Sequence, residues 1–144
     1  MWQFGCKPEQ IKPTLRKIVK LINLTSHPIH FYNISDVVYE KYFVLIEDRK
    51  PRLTIEPSGL VARAEQRSTI VSYADVDNQR INIFANEYGD ADLVPQESEG
   101  VMYIVSMLTA QAATLQRRDD IYVVNEPVQN SDGTIVGCLS LAII

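Results

Sequence analysis

Apolar residues along this chain come in short bursts rather than long amphipathic stretches. Residues 18–24 are rich in Ile, Val and Leu, and the run breaks at Ser26, His27 and Pro28. Residues 29–33 alternate loosely, as a strand does. The run 42–46, YFVLI, is followed by a charged turn containing Pro51. Residues 53–55 are extended, and Pro57, Ser58 and Gly59 form a turn signal. Residues 60–64 resume the strand pattern, with Val61 and Arg63 on one face and Leu60, Ala62 and Ala64 on the other. Residues 69–73 and 80–84 flank Asp75, Val76, Asp77 and Asn78, which predicts a hairpin with a polar loop of about four residues. Residues 86–95, with Gly89, Glu87, Asp90 and Asp92, read as a surface loop.

The period changes after residue 105. Residues 101–105 predict a strand. From there Leu108, Ala112 and Leu115 recur at spacings of four and three, a narrow helical stripe. Ser106 is placed to cap this helix, and Arg117 and Arg118 stand where cations complement a helix C-terminus. The helix is expected over residues 107–116. Strands follow at 121–124 and 134–141, separated by the turn signal Asp132-Gly133. Pro13 is suited to open a helical turn through Lys17. The expected fold class is α+β: a mixed, mostly antiparallel sheet of about seven short strands with one main helix packed on it. Residues 1–22 are expected as an N-terminal extension and residues 23–144 as a single domain.

Composition narrows the function. A chain of 144 residues with 46% hydrophobic content can bury a core of its own. A net charge of −4 argues against a general nucleic-acid binder, which needs a basic face. No apolar run reaches the roughly 18 residues of a membrane span. Charges at Lys7, Glu9, Lys12, Arg16 and Lys17 interrupt any secretory leader. Cys6 and Cys138 lack a CxxC spacing, and two lone cysteines fit a reducing compartment. His27 and His30, three apart in an extended segment, are expected on opposite faces, so no metal is expected. Cys138 stands in apolar company and reads as a buried thiol.

No GxSxG elbow, P-loop or GxGxxG is present. The acids Asp119 and Asp120, and those near residues 87–92, read as solvated charge. What remains is ligand binding. Arg117 and Arg118 can bind an anion or serve as helix-terminal cations, two readings of equal weight. Arg63 sits on a strand among apolar residues and calls for a partner, either an acid such as Glu65 or Asp92 or a ligand phosphate. Phe84, Tyr88 and Tyr103 offer faces for a base, although each residue type is more often core.

Four stretches together resemble a family of small phage proteins. Residues 23–29, NLTSHPI, are similar to an Asn-Leu-Thr-Pro-His segment, with Ser26 in place of proline. Residues 58–63, SGLVAR, resemble a Ser/Gly-x-Val-Ala-Arg stretch. Residues 103–112, YIVSMLTAQA, with Arg118 and Asp120 beyond, resemble a Tyr-Ile-Val-Ser run and a later Arg-x-Asp. Residues 132–141, DGTIVGCLSL, are similar to a closing Asp-x-Gly strand. Among such proteins the chain resembles the Thoeris anti-defence sponges, which sequester a cyclic ADP-ribose signal intact. The resemblance implies a non-enzyme of the host cytoplasm, without cofactor, whose partner is a small cyclic nucleotide-like ligand. Arg117 and Arg118 would hold phosphate, Phe84 and Tyr103 would stack, and Asn23 and Arg63 would orient polar groups. A homo-oligomer would let two chains enclose the ligand. Two alternatives stay open: a phage structural or interaction protein with no nucleotide ligand, and a hydrolase of the same signal using His27 or Asp120.

Overall fold

The computed structural model describes residues 14–144. Ten strands dominate it: β1 (Lys20–Asn23), β2 (Ile29–Phe31), β3 (Val37–Tyr39), β4 (Phe43–Leu45), β5 (Leu53–Ile55), β6 (Arg63–Val76), β7 (Gln79–Asp92), β8 (Val101–Ile104), β9 (Ile121–Gln129) and β10 (Ile135–Ile143). The chain is therefore mostly β. The main sheet runs β1-β8-β9-β10-β2-β5, with β4 added to the far end of β9 and β3 to β4. It is mixed: β1–β8, β8–β9, β4–β9 and β10–β2 are parallel. β9–β10, β2–β5 and β3–β4 are antiparallel.

Strand β9 organises this sheet. Its first residues pair with β8 and its last with β4, while β10 runs along the other edge. The change of neighbour coincides with Glu126 at φ 53° and with Pro127. Pro127 has no N–H to donate, so it is tolerated where β9 has left one neighbour and not yet met the next. Alternation along β8 and β9 feeds two cores. Tyr103, Val105, Ile121 and Val123 pack with Leu24, Ala112 and Leu115 on one face. Ile104 and Tyr122 pack with Ile29, Phe31 and Cys138 on the other.

The expected helix over 107–116 is much shorter. One α-helical turn, α1 (Met107–Ala110), is capped by the Ser106 side chain accepting from the Thr109 amide, and a 3-10 turn follows at Ala113–Leu115. Tertiary burial, not helical periodicity, explains the spacing of Ala112 and Leu115, which are 0% and 2% exposed. Arg117 and Arg118 follow that 3-10 turn and do not terminate a long helix.

The hairpin is much longer than expected. β6 and β7 are 14 residues each, joined by Asp77 and Asn78 at φ 51° and 63°. Two successive left-handed residues make the tight turn whose twist suits a hairpin. β7 extends to Asp92 through the stretch read as a loop. β1 also begins at Lys20, inside the residues read as an extension, so the sheet claims that stretch. The helical turn expected from Pro13 starts outside the described residues, as does Cys6, and residues 14–18 carry no helix.

Candidate functional site

Arg118 and Tyr103 come together. Arg118 donates to both carboxylate oxygens of Asp120, Nε to Oδ1 at 2.9 Å and Nη2 to Oδ2 at 2.7 Å. Its guanidinium lies 5.8 Å from the centre of the Tyr103 ring. Asp120 is 4% exposed and Tyr103 is 3% exposed. The hydrogen bond to Asp120 pushes the Arg118 pKa up, so the cation is fixed. Carboxylates of Glu97, Asp119 and Asp120 converge within 4.8 Å of one another, and Arg118 sits 3.9 Å from Glu97. The guanidinium pairs with Asp120 and approaches Glu97, and so offsets one of these three charges. A bidentate pair of this kind is strong and oriented, and it occupies the fork a phosphate would use.

The other expected residues sit apart from this pair. Arg117 is exposed beyond the 3-10 turn. Phe84 is far out on the β6–β7 arm and 49% exposed. Arg63 is exposed at the root of that arm, across the ladder from Asp92. Asn23 is 1% exposed and fully engaged: its Nδ2 donates to the His27 and Ile55 carbonyls, and its Oδ1 accepts from the Thr25 amide. Asn23 thereby shapes the turn from Leu24 to Pro28.

That turn forms one rim of a cleft of about 940 Å³. The floor comes from β2, β9 and β10, and includes Ile29, Val123 and Cys138. Ser106 and Met107, at the start of α1, also line the cleft. The lining is mainly apolar, with His27, His30, Tyr32, Thr25 and Ser106 as polar points. His30 Nδ1 is 2.8 Å from Thr54 Oγ1, which leaves Nε2 for a ligand. Burial, and then the nearby Asp36 charge, push the Tyr32 pKa up, so its hydroxyl stays protonated. Burial also pushes the Cys138 thiol up, so it stays a neutral part of the floor.

The two histidines, expected on opposite faces, line the same cleft. Pro28 stands in the non-strand segment before β2, so the two-residue alternation does not run through it. The close run of His27, His30 and Tyr32 beside a proline is the sequence feature that marks this cleft. The cleft volume falls within the range usual for small-molecule sites. No protein-family model, no curated protein and no solved structure matches the chain.

Proposed function

We propose that this protein binds a small molecule in the His27–His30 cleft and holds it unchanged. The volume and mainly apolar lining of that cleft carry the reading. An aromatic base has Val124 and Ile135, the exposed apolar residues of the lining, to pack on, and the His30 Nε2 is left to meet polar substituents. A cyclic nucleotide of the cyclic ADP-ribose type, as the resemblance implies, combines such a base with polar groups. On this reading the protein is a phage anti-defence sponge acting in the host cytoplasm, and Arg118 belongs to the scaffold.

The test is to mix the purified chain with the cyclic ADP-ribose signal, remove free ligand, and heat the protein. Release of intact ligand is expected, together with an upward thermal shift. Val124 lines the cleft and is 45% exposed. Val124→Trp should fill the cleft and abolish uptake, while Arg117→Ala and Phe84→Ala retain it. A cleaved product would favour the hydrolase alternative, and no uptake would sink the binding reading. A phage structural or interaction protein remains the second reading, and the exposed β6–β7 arm favours it.

A further inference from the structure

The β6–β7 arm is exposed where its sequence is apolar. Residues 68–74, STIVSYA, and 81–86, INIFAN, carry no charge. Within them Val71 is 61% exposed, Tyr73 58% and Ile83 43%. No other described strand pairs with β6 or β7. Each therefore presents an outer row of peptide N–H and C=O groups. Free edges are ordinarily guarded by lysine, proline, inward charge or a β-bulge; the middle of this arm has none of the first three, and a register shift between Ile70 and Ser72 is the one irregularity there. A two-stranded ribbon of this kind is marginal alone in water.

We propose that the arm is a self-association element. Two copies of this chain pair their arms edge to edge, antiparallel, about a two-fold axis. Charge order favours a second copy as the occupant: the exposed in-chain pairs Arg67–Glu65 and Arg80–Asp75 are weak and can be exchanged for pairs across the two-fold. The uncharged stretch of β6 lies between Arg67 and Asp75, and that of β7 between Arg80 and Glu87. On each strand a cation stands at one end and an anion at the other. Antiparallel pairing about a two-fold sets the cationic end of one copy beside the anionic end of its mate. Parallel pairing would set like against like. Such self-complementarity is what an isologous interface requires. Strands of 14 residues extend about 45 Å. An edge ladder along such a ribbon buries less than the ~800 Å² per partner of a standard interface, so the dimer is expected to dissociate on dilution.

The test is sedimentation of the full chain over a dilution series, with hydrogen exchange on the same samples. The expected mass doubles from 16.3 kDa as concentration rises. Outward-facing amides within residues 68–86 should gain protection in the dimer and lose it on dilution. Val71→Lys with Ile83→Lys should sediment as a monomer whose main sheet melts like that of the diluted parent. A parent chain that stays monomeric overturns the proposal. So does a dimer whose arm amides exchange freely, or a double-lysine variant that still dimerises. If the variant does not fold, the exchange pattern of the parent chain decides.

Discussion

Ile104 and Ile83 are the same residue in strands of one protein, but their surroundings are opposite. Ile104 lies in β8, flanked by β1 and β9, and is 0% exposed. Ile83 lies in the outer part of the β6–β7 ribbon and is 43% exposed. The main sheet has two apolar faces and covers both, one with α1, the 3-10 turn and Ala62, the other with side chains of β2 and β10. The arm has two faces as well, and no second layer of the described residues lies over its outer half. Strand-forming sequence is thus common to both regions, and layering separates them. The arm is tied down only near its root, where the Ala91 amide donates to Thr114 Oγ1 at 3.2 Å. In the single chain, stability resides in the main sheet.

The largest expected effect tests that division directly. Ile104→Ala removes a fully buried side chain and should cost about 4 kcal/mol, read as a lower denaturation midpoint. Ile83→Ala should change the dilute, monomeric protein by less than about 0.5 kcal/mol. Equal costs at the two sites would mean that the arm is buried against something in solution even at high dilution.

The next effect concerns Arg118. Its partner Asp120 is buried, and the pair's side chains are 14% and 5% exposed. Arg118→Ala leaves that carboxylate without its counter-charge and should destabilise by about 3 kcal/mol. Arg117→Ala, on an exposed neighbour, should stay within about 0.5 kcal/mol. Chemical denaturation of both variants checks this. The sequence alone treats these two arginines as a matched pair, equally suited to bind an anion or to serve as helix-terminal cations. A small change at Arg118 would restore its candidacy as a ligand group.

Glycines sharpen the comparison further. A Cβ on Gly137 in β10 would stand 2.5 Å from the His30 carbonyl oxygen and 2.7 Å from the Tyr32 ring. Backbone cannot yield cheaply, so Gly137→Ala should cost about 2 kcal/mol. A Cβ on Gly89 in β7 would meet only the Glu65 side chain, 3.2 Å from its Oε2. That flexible chain end can swing away, and alanine restricts the unfolded chain more than glycine does. Gly89→Ala should be neutral or stabilise by about 0.5 kcal/mol. Thermal melts of the two variants should move in opposite directions or differ severalfold. Gly137→Ala should also narrow the cleft, which Gly137 lines.

What could be read from the sequence divides along the same line. Strands with apolar bursts and flanking breakers, such as those around residues 29, 43 and 135, are found close to where the pattern puts them. The arm is not legible as an arm. Its alternation signals strand, but nothing local distinguishes a strand that will be covered from one that will not. The turn at Asp77 and Asn78 looks longer because Asp75 and Val76 are also polar or near polar neighbours, although both pair in the ladder. The helix failed for a related reason. Spacings of three and four in residues 108–115 arise from a helical turn followed by a 3-10 turn, each packing inward separately. The cleft was invisible because it joins residues about 100 positions apart, and no short motif records such closure.

The smallest effect lies at the turn between β9 and β10. Hydrogen bonds from Thr134, first through its side chain and then its amide, hold the Asp132 carboxyl below its ordinary range. A depressed carboxyl stabilises the fold above its unfolded pKa, about 3.9, and that contribution is lost as pH falls through the folded value. Asp132→Asn removes this titration. At neutral pH the parent should melt slightly above the variant, and the gap should close in acid. The β9–β10 turn closes two strands of the main sheet, so whatever it contributes enters the global melt. An acid-dependent gap between the parent and Asp132→Asn is therefore expected in the melt of the main sheet. A gap that does not change with pH would show that the Asp132 carboxylate contributes nothing to that melt.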